Sequence, residues 1–470
     1  MEYEEIEQRL KKCVDTPMKP IPEDVLAKEK DRFYKKHARS LEIFEKAKGL
    51  IPGGVEHNLA TNDPFPTAMD RAKGYKLWDV DDNEYVDFLM CGAPIILGHH
   101  YDPLDDEIIK IIQEKGPATG LTSEYEILAA QKIVDHMPSV DMVRFLQSGT
   151  EADMAAIRIA RAYTNKNKVI KMGGSYHGWY DQFVYSLHVP GTAGLNSRGI
   201  PPQTFELLVD VPPNDFEALE RAFEENKGEG DEGIAAVMVE PVGGESGVHP
   251  PHPDWNKRIR ELCTANGALM VFDEVVTGFR LDMGGAQKYY GIDPDLTVLG
   301  KIITHGYPSA GAVAGKEEFM SIVGAGMGTK PYLGGTLAAN PISTAACYHA
   351  IRLMEENDAV AKATAFADRL VKELNDLFAT REDLPFFLYN FGPIIHYVTT
   401  SFFKVDLSGP APFEVITRKT TAEQYQMVAN NEGVNSLAGT RMYTCMQHDD
   451  EALNKTLKTW EYIMSLIPKS

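Results

Sequence analysis

Asp273 and Lys301 are the two residues whose types and settings best suit them to chemistry in this 470-residue chain. Each ends a short apolar run: 269–272 stops at Asp273, and 296–299 stops at Gly300 and Lys301. Short apolar runs bounded by Gly and Pro suit buried strands of a parallel sheet. Ligands of such sheets sit at the carboxyl ends of the strands, so one carboxylate and one amine are offered to one crevice. An amine there can form an imine with an aldehyde, and a carboxylate can pair with a protonated ring nitrogen. Pyridoxal 5'-phosphate (PLP) is the cofactor that most wants this pair. The apolar run before Lys301 predicts burial, which favours the neutral amine. Asp273 needs a cationic or donor partner in such a place. A purely structural pairing with Arg280 or Lys301 would satisfy it as well as a pyridinium would.

Four further segments could complete such a site. Ser148, Gly149 and Thr150 lie between a strand-like run and an Ala-rich helical one. Hydroxyls and the exposed N–H groups of a helix start make a phosphate cradle, although Ser148 or Thr150 serves equally as a plain cap. Tyr176 and His177 follow the apolar run 168–172. An aromatic ring at a strand end can stack on a flat heterocycle; core aromatics and a satisfied histidine are the plainer alternative. Glu240, before Pro241, is a second strand-end carboxylate, open to a structural hydrogen bond or to a place beside the cofactor. Thr336 sits in the Gly-rich 334–341 segment ahead of a helical stretch, a phosphate-side candidate or a simple turn.

Positioning these residues takes alternating strands and helices. The runs 143–146, 168–172, 235–242, 268–272 and 296–300 read as strands, and 125–136, 149–164 and 254–267 have helical period. This βα alternation predicts an α/β fold with a parallel sheet and right-handed crossovers. The 75–88 segment alternates around Asp81-Asp82-Asn83 and predicts a hairpin. Residues 1–47 read as polar helices broken by Pro17, Pro20 and Pro22. After Asn340, a long helical region, strands around 394–398 and a last helix near 450–467 read as a smaller α+β domain. The expected division is 1–90, a helical segment and hairpin belonging to the small domain; 91–340, the large cofactor-binding domain; and 341–470, the rest of the small domain.

A net charge of −21 opposes binding to a phosphate backbone, so nucleic acid is not an expected partner. No apolar run reaches the length of a membrane span, and the N-terminus is charged from Glu2 with no apolar signal core. The expectation is a cytoplasmic protein with no membrane partner. Cys13, Cys91, Cys263, Cys347 and Cys445 form no CxxC pair, so buried free thiols are expected and no metal. A nucleotide-binding dehydrogenase would need a G-x-G-x-x-G turn after a first strand, and none stands in that setting.

In chain order, IPGGV, YKLWDVDDNEYVDF, SGTEADMAAIRIAR, YHGWYD, VEPV, FDEVVTGFR, LGK and GGTLAANP resemble the class III (subgroup II) aminotransferases, PLP enzymes of fold type I. Within that family they are similar to glutamate-1-semialdehyde aminomutase, over residues 38–467. The resemblance implies a large domain with a mostly parallel central sheet flanked by helices, plus a smaller α+β domain from both chain ends. It implies Lys301 as the Schiff-base lysine and Asp273 as the partner of the pyridine nitrogen. Gly149 and Thr150 would hold the phosphate with Ser148 close by, and Tyr176 would stack on the ring; His177 and Glu240 stay cofactor-side candidates on their own strand-end positions. Thr336 would reach the phosphate of a neighbouring subunit's cofactor, which implies a homodimer with shared sites. The implied activity is ping-pong transfer of an amino group from a small-molecule amine donor to a keto acceptor such as a 2-oxo acid.

Two departures bear on substrate. The aminomutases carry an arginine for substrate carboxylate seven residues beyond the first glycine of the GGV segment; Ala60 stands there. Their lysine is usually followed by a glycine cluster; Ile302-Ile303-Thr304-His305-Gly306 follows Lys301. GGVEHNLATNDPFP, with Arg441, instead resembles a branch acting on β-amino acids or their coenzyme A thioesters, such as 3-aminobutyryl-CoA aminotransferase. His57 and Arg441 would then face substrate, and a thioester, lacking a free carboxylate, fits the lost arginine. An aminomutase, racemase or decarboxylase on the same scaffold is the alternative, because Lys301 and Asp273 serve all of these. A catalytically silent assembly protein is also compatible with the fold, but Lys301, Asp273 and Tyr176 together argue against it.

Overall fold

The computed structural model describes residues 1–56, 63–116, 121–184, 197–324, 330–401, 412–437 and 440–469. The chain forms two compact units, Asp102–Val360 and a second drawn from both chain ends, Met1–Tyr101 with Ala361–Ser470.

The first unit is built on seven strands: β1 (Met142–Leu146), β2 (Lys166–Met172), β3 (Leu208–Val211), β4 (Gly230–Val239), β5 (Leu269–Asp273), β6 (Leu296–Gly300) and β7 (Gly311–Gly315). Their order in the sheet is β1-β7-β6-β5-β4-β2-β3. The neighbours from β6 to β3 run parallel, and β7 runs antiparallel to both β6 and β1. The expected α/β architecture with a mostly parallel sheet is therefore present.

Strand parity decides what each face carries. Leu269 and Val271 of β5, with Leu296 and Val298 of β6, share a core with Ala152, Ala156 and Ala160 of α1 (Gly149–Thr164). Met270 and Phe272 join the opposite core, with Trp255 and Ile259 of α2 (Trp255–Asn266). Burial on both faces is why these strands read as unbroken apolar runs. Because side chains alternate along a strand, Asp273 falls on the α1 face at the carboxyl end of β5. Its neighbour Glu274 is a structural tie: fully buried, it accepts hydrogen bonds from Thr277, from the backbone of Ala286 and Gln287, and from the Gln287 side chain.

β6 and α1 have the bounds their sequence pattern predicts. β3 and β7 do not show in that pattern: one is a four-residue LVDV, the other a GAVAG run whose terminal glycines and small side chains resemble a loop. The sequence reading ends the large domain at residue 340, whereas the compact unit runs on to Val360. The helix Pro341–Glu356 packs there against Glu124–His136 and Asp102–Glu114.

The other unit holds the helices Tyr3–Asp15, Glu23–Lys36 and Ala38–Ala47 and the antiparallel hairpin Lys76–Asp79 with Glu84–Asp87. Val434–Asn435 adds to that hairpin in parallel, which ties the C-terminal part of the chain to the N-terminal part. A second sheet joins Phe387–Phe391, Ile394–Val398 and Arg441–Tyr443, and the unit also holds most of the helix Ala359–Phe378 and the helices Pro412–Asn431 and Asp450–Leu466. Four of the cysteines are buried free thiols, but Cys91 is exposed. No helix among the described residues is long and apolar enough to cross a membrane.

His448 sits in the core of this unit, stacked on Tyr75, Phe88 and Phe366. The Cys445 N–H donates to its Nδ1 at 3.0 Å, so the ring is neutral with its proton on Nε2. Burial lowers its pKa to about 4, against about 6.5 in an unfolded chain. The unfolded state therefore takes up a proton first as pH falls, and folding stability is lost between those two values. Denaturant midpoints should fall from pH 7 to pH 4, about 3 kcal/mol of that fall coming from His448, and the fall should be shallower in His448→Asn.

Candidate active site

Asp273 lies opposite Val298 in the parallel pairing of β5 with β6, and Lys301 follows three residues after Val298. The carboxylate and the lysine therefore leave the sheet at one edge. Lys301 opens a short 3-10 turn, Lys301–Thr304, with φ of +43°. A side chain in the left-handed region costs about 1–2 kcal/mol. Tight packing holds it there: Ile302 and Ile303 are buried, and a Cβ at Gly300 would come within 3.1 Å of Val275.

The Asp273 carboxylate is buried and oriented from two sides. Its Oδ2 lies 2.7 Å from Nδ1 of His177, and its Oδ1 accepts the Val275 N–H at 3.0 Å. A carboxylate only accepts, so Nδ1 of His177 carries the proton. Burial lowers the pKa of His177 and prevails over the Asp273 contact, which raises it. His177 thus orients the carboxylate as a neutral ring and brings no positive charge, which leaves room for a cation. Among the described residues, the hydrogen bonds to Asp273 come from His177 and the Val275 N–H, where the sequence suggested Arg280 or Lys301.

Ser148 is the cap of α1. Its Oγ accepts the Glu151 N–H at 3.2 Å, and the Glu151 carboxylate returns to the Gln147 N–H at 2.9 Å. Gly149 and Thr150 occupy the first turn, whose N–H groups have no intrahelical acceptor and favour an anion. Backbone approaches closely here because two residues lack a Cβ. Gly178, at φ +84°, would place a Cβ 2.4 Å from Oγ1 of Thr150, and Gly149 would place one 2.9 Å from Val275. Tyr176 is 39% exposed between fully buried Ser175 and His177, so its ring is open to being covered. Glu240 accepts the Tyr176 N–H at 2.9 Å; it makes the structural hydrogen bond that sets this loop.

Thr336 is exposed in a turn, and a Cβ on the preceding Gly335 would meet Gln147 Nε2 at 2.5 Å. That loop therefore borders the approach to α1. Arg441 belongs to the other unit, buried in the strand Arg441–Tyr443. His57 and Ala60 lie outside the described residues. One acid escaped the sequence reading: Asp153, on the buried face of α1. An acidic residue among Ala152, Ala155, Ala156 and Ile157 was the available signal. A separate open groove lined by Arg260, Asp295, Lys316 and Tyr290 lies at the amino ends of β5 and β6, the end of the sheet away from these residues.

The set fits PLP: a helix start for its phosphate, an oriented buried carboxylate for a protonated ring nitrogen, an open aromatic face, and an amine at the same sheet edge. Comparison with known proteins agrees. The family model of the class-III aminotransferases matches residues 59–385. The chain is 35% identical over 436 residues to "Glutamate-1-semialdehyde 2,1-aminomutase" of Methanocaldococcus jannaschii, covering 90% of this chain and 97% of that one. Among solved structures, a "Transaminase with PLP bound" is 26% identical at a TM-score of 0.79, covering 91% and 97% of the two chains. A β-phenylalanine aminotransferase from Variovorax paradoxus is 26% identical at a TM-score of 0.81, covering 95% and 99%. From its motifs, its sheet and these relatives, the chain belongs to the class-III aminotransferases, enzymes of PLP fold type I whose cofactor is pyridoxal 5'-phosphate.

Proposed function

We propose that this enzyme moves an amino group on a small amino-acid substrate, with Lys301 carrying the proton and Asp273 holding the ring nitrogen. The observation that carries this reading is the shared sheet edge of Asp273 and Lys301, with Asp273 oriented by a neutral His177. PLP, when bound, supplies an aldehyde that captures amines and a ring that withdraws electrons from the carbon bearing them. The chain's own residues do the rest. The N–H groups of Gly149 and Thr150 hold the phosphate. Tyr176 covers one ring face. Asp273 keeps the ring nitrogen protonated by offering it a fixed negative charge. The Lys301 amine passes a proton to and from the substrate carbon, and its fixed position supplies much of the rate. In a homodimer, Thr336 of one chain would reach the phosphate held by its partner.

Two forms of the reaction differ only in what happens to the amino group. The curated relative favours the aminomutase form, in which the group returns to the same carbon skeleton. That ranks it above the β-amino-acid transaminase to which the sequence departures point. The transaminase, acting on a β-amino acid or its thioester with a 2-oxo acid as acceptor, is the second reading. Ala60 in the place of the aminomutase arginine favours it, as does the likeness to a β-phenylalanine aminotransferase. His57 and Arg441 are its substrate candidates.

The loaded wild type should be yellow. Lys301→Ala should lose that colour and about 10²–10⁴-fold in turnover, with far-UV circular dichroism unchanged. Gly178→Ala should push Thr150 from its place, costing about 2 kcal/mol of stability and weakening PLP retention about tenfold. Product analysis separates the two forms. Isomerisation of glutamate 1-semialdehyde with no added acceptor supports the aminomutase. Turnover of β-amino acids only when a 2-oxo acid is present supports the transaminase, and failure of both substrates contradicts the proposed activity.

A further inference from the structure

Asp153 has no place in the account so far. It lies one turn into α1, 1% exposed, on the face turned to β5 and β6. One of its carboxyl oxygens, a ring nitrogen of His177 and a carboxyl oxygen of Asp273 all lie within 4.8 Å of one another. Its Oδ1 has no hydrogen-bond partner among the described residues. The helix face around it is Ala152, Ala155, Ala156 and Ile157, which packs without needing a polar group.

Of two carboxyls this close, both out of water, one holds its proton to higher pH than an isolated carboxyl would. Burial, then the Asp273 charge, then Glu240 push the pKa of Asp153 well above the usual carboxylate range, while Lys301 pulls it down. Tyr180 also faces it: burial and Asp153 both raise that phenol's pKa. Lys171 acts on the array through His177, whose pKa it lowers.

We propose that Asp153 is a proton-bearing neighbour of the Asp273 carboxylate, behind the position of the ring nitrogen, which makes Asp153 a positioning residue that sets how firmly Asp273 holds a protonated ring. The proposal rests on the reading of Asp273 as the ring nitrogen's partner. While Asp153 keeps the proton, a single negative charge faces the ring. When Asp153 ionises at higher pH, a second negative charge arrives and strengthens the hold on the nearby cations, the ring N–H and the nitrogen at Lys301.

The test is the visible absorbance of the PLP-loaded protein as a function of pH, in wild type and Asp153→Asn. Asparagine keeps the shape and neutrality of the protonated acid. Wild type should titrate in two steps. Asp153→Asn should titrate in one, with its midpoint lower by about one pH unit. Below the Asp153 step, the variant's apoprotein should bind PLP within about threefold of wild type, because the amide stands in for the neutral acid. Should Asp153→Asn not accumulate as folded protein, Asp153→Ala, which suits the Ala-rich face, must give the same single step. Identical titrations of wild type and variant would overturn the proposal. So would a hundredfold loss of PLP affinity in a variant with native circular dichroism, since an ionised Asp153 would then be required. A wild-type protein that takes up no PLP would overturn the ring-nitrogen reading itself, and this proposal with it.

Discussion

A negative charge buried at the end of a strand is the constraint on which the site depends. Asp273 terminates β5, where both faces of the sheet are covered and water is excluded. A carboxylate there is unfavourable without donors or a cation. The protein supplies two donors, His177 and the Val275 N–H, and its histidine is held neutral by burial. The remaining demand is for a positive charge on the α1 side of the sheet, which a protonated pyridine ring would meet. Parallel pairing with β6 then brings Lys301 to the same edge, and the first turn of α1 brings N–H groups for an anion.

Much of this was legible in the sequence because buried parallel strands leave a plain mark. The runs ending at Asp273 and Gly300 are apolar throughout, so their ends, and the residues offered there, could be read directly. α1 was equally plain, being Ala-rich with helical period. Parity along β5 was implicit too: residues 269 and 271 face α1, and so must 273. The resemblance to the class-III family placed the same residues in the same roles.

What was not legible depends on contacts between distant segments. No local pattern says that His177 bonds Asp273, 96 residues away in the chain, or that Glu240 holds the Tyr176 backbone. Ser148 caps α1, as its plainer reading has it, and a cap is compatible with an anion at the free N–H groups of the same first turn. β7 was hidden by its own composition, as GAVAG has too little side chain to show a strand pattern. Asp153 was visible as an acid on an apolar helix face, but its proximity to Asp273 is a product of the fold. Substrate choice is the least legible part. The segment around His57 and Ala60, where the sequence departs from the aminomutase pattern, lies outside the described residues.

The central claim is that Lys301 is the amine that meets the cofactor. Borohydride reduction of the PLP-loaded protein, followed by peptide mass spectrometry, tests it directly. The account predicts a pyridoxyl phosphate adduct on the peptide carrying Lys301 and on no other lysine. An adduct on a different lysine, or none on a protein that has turned yellow, would contradict it.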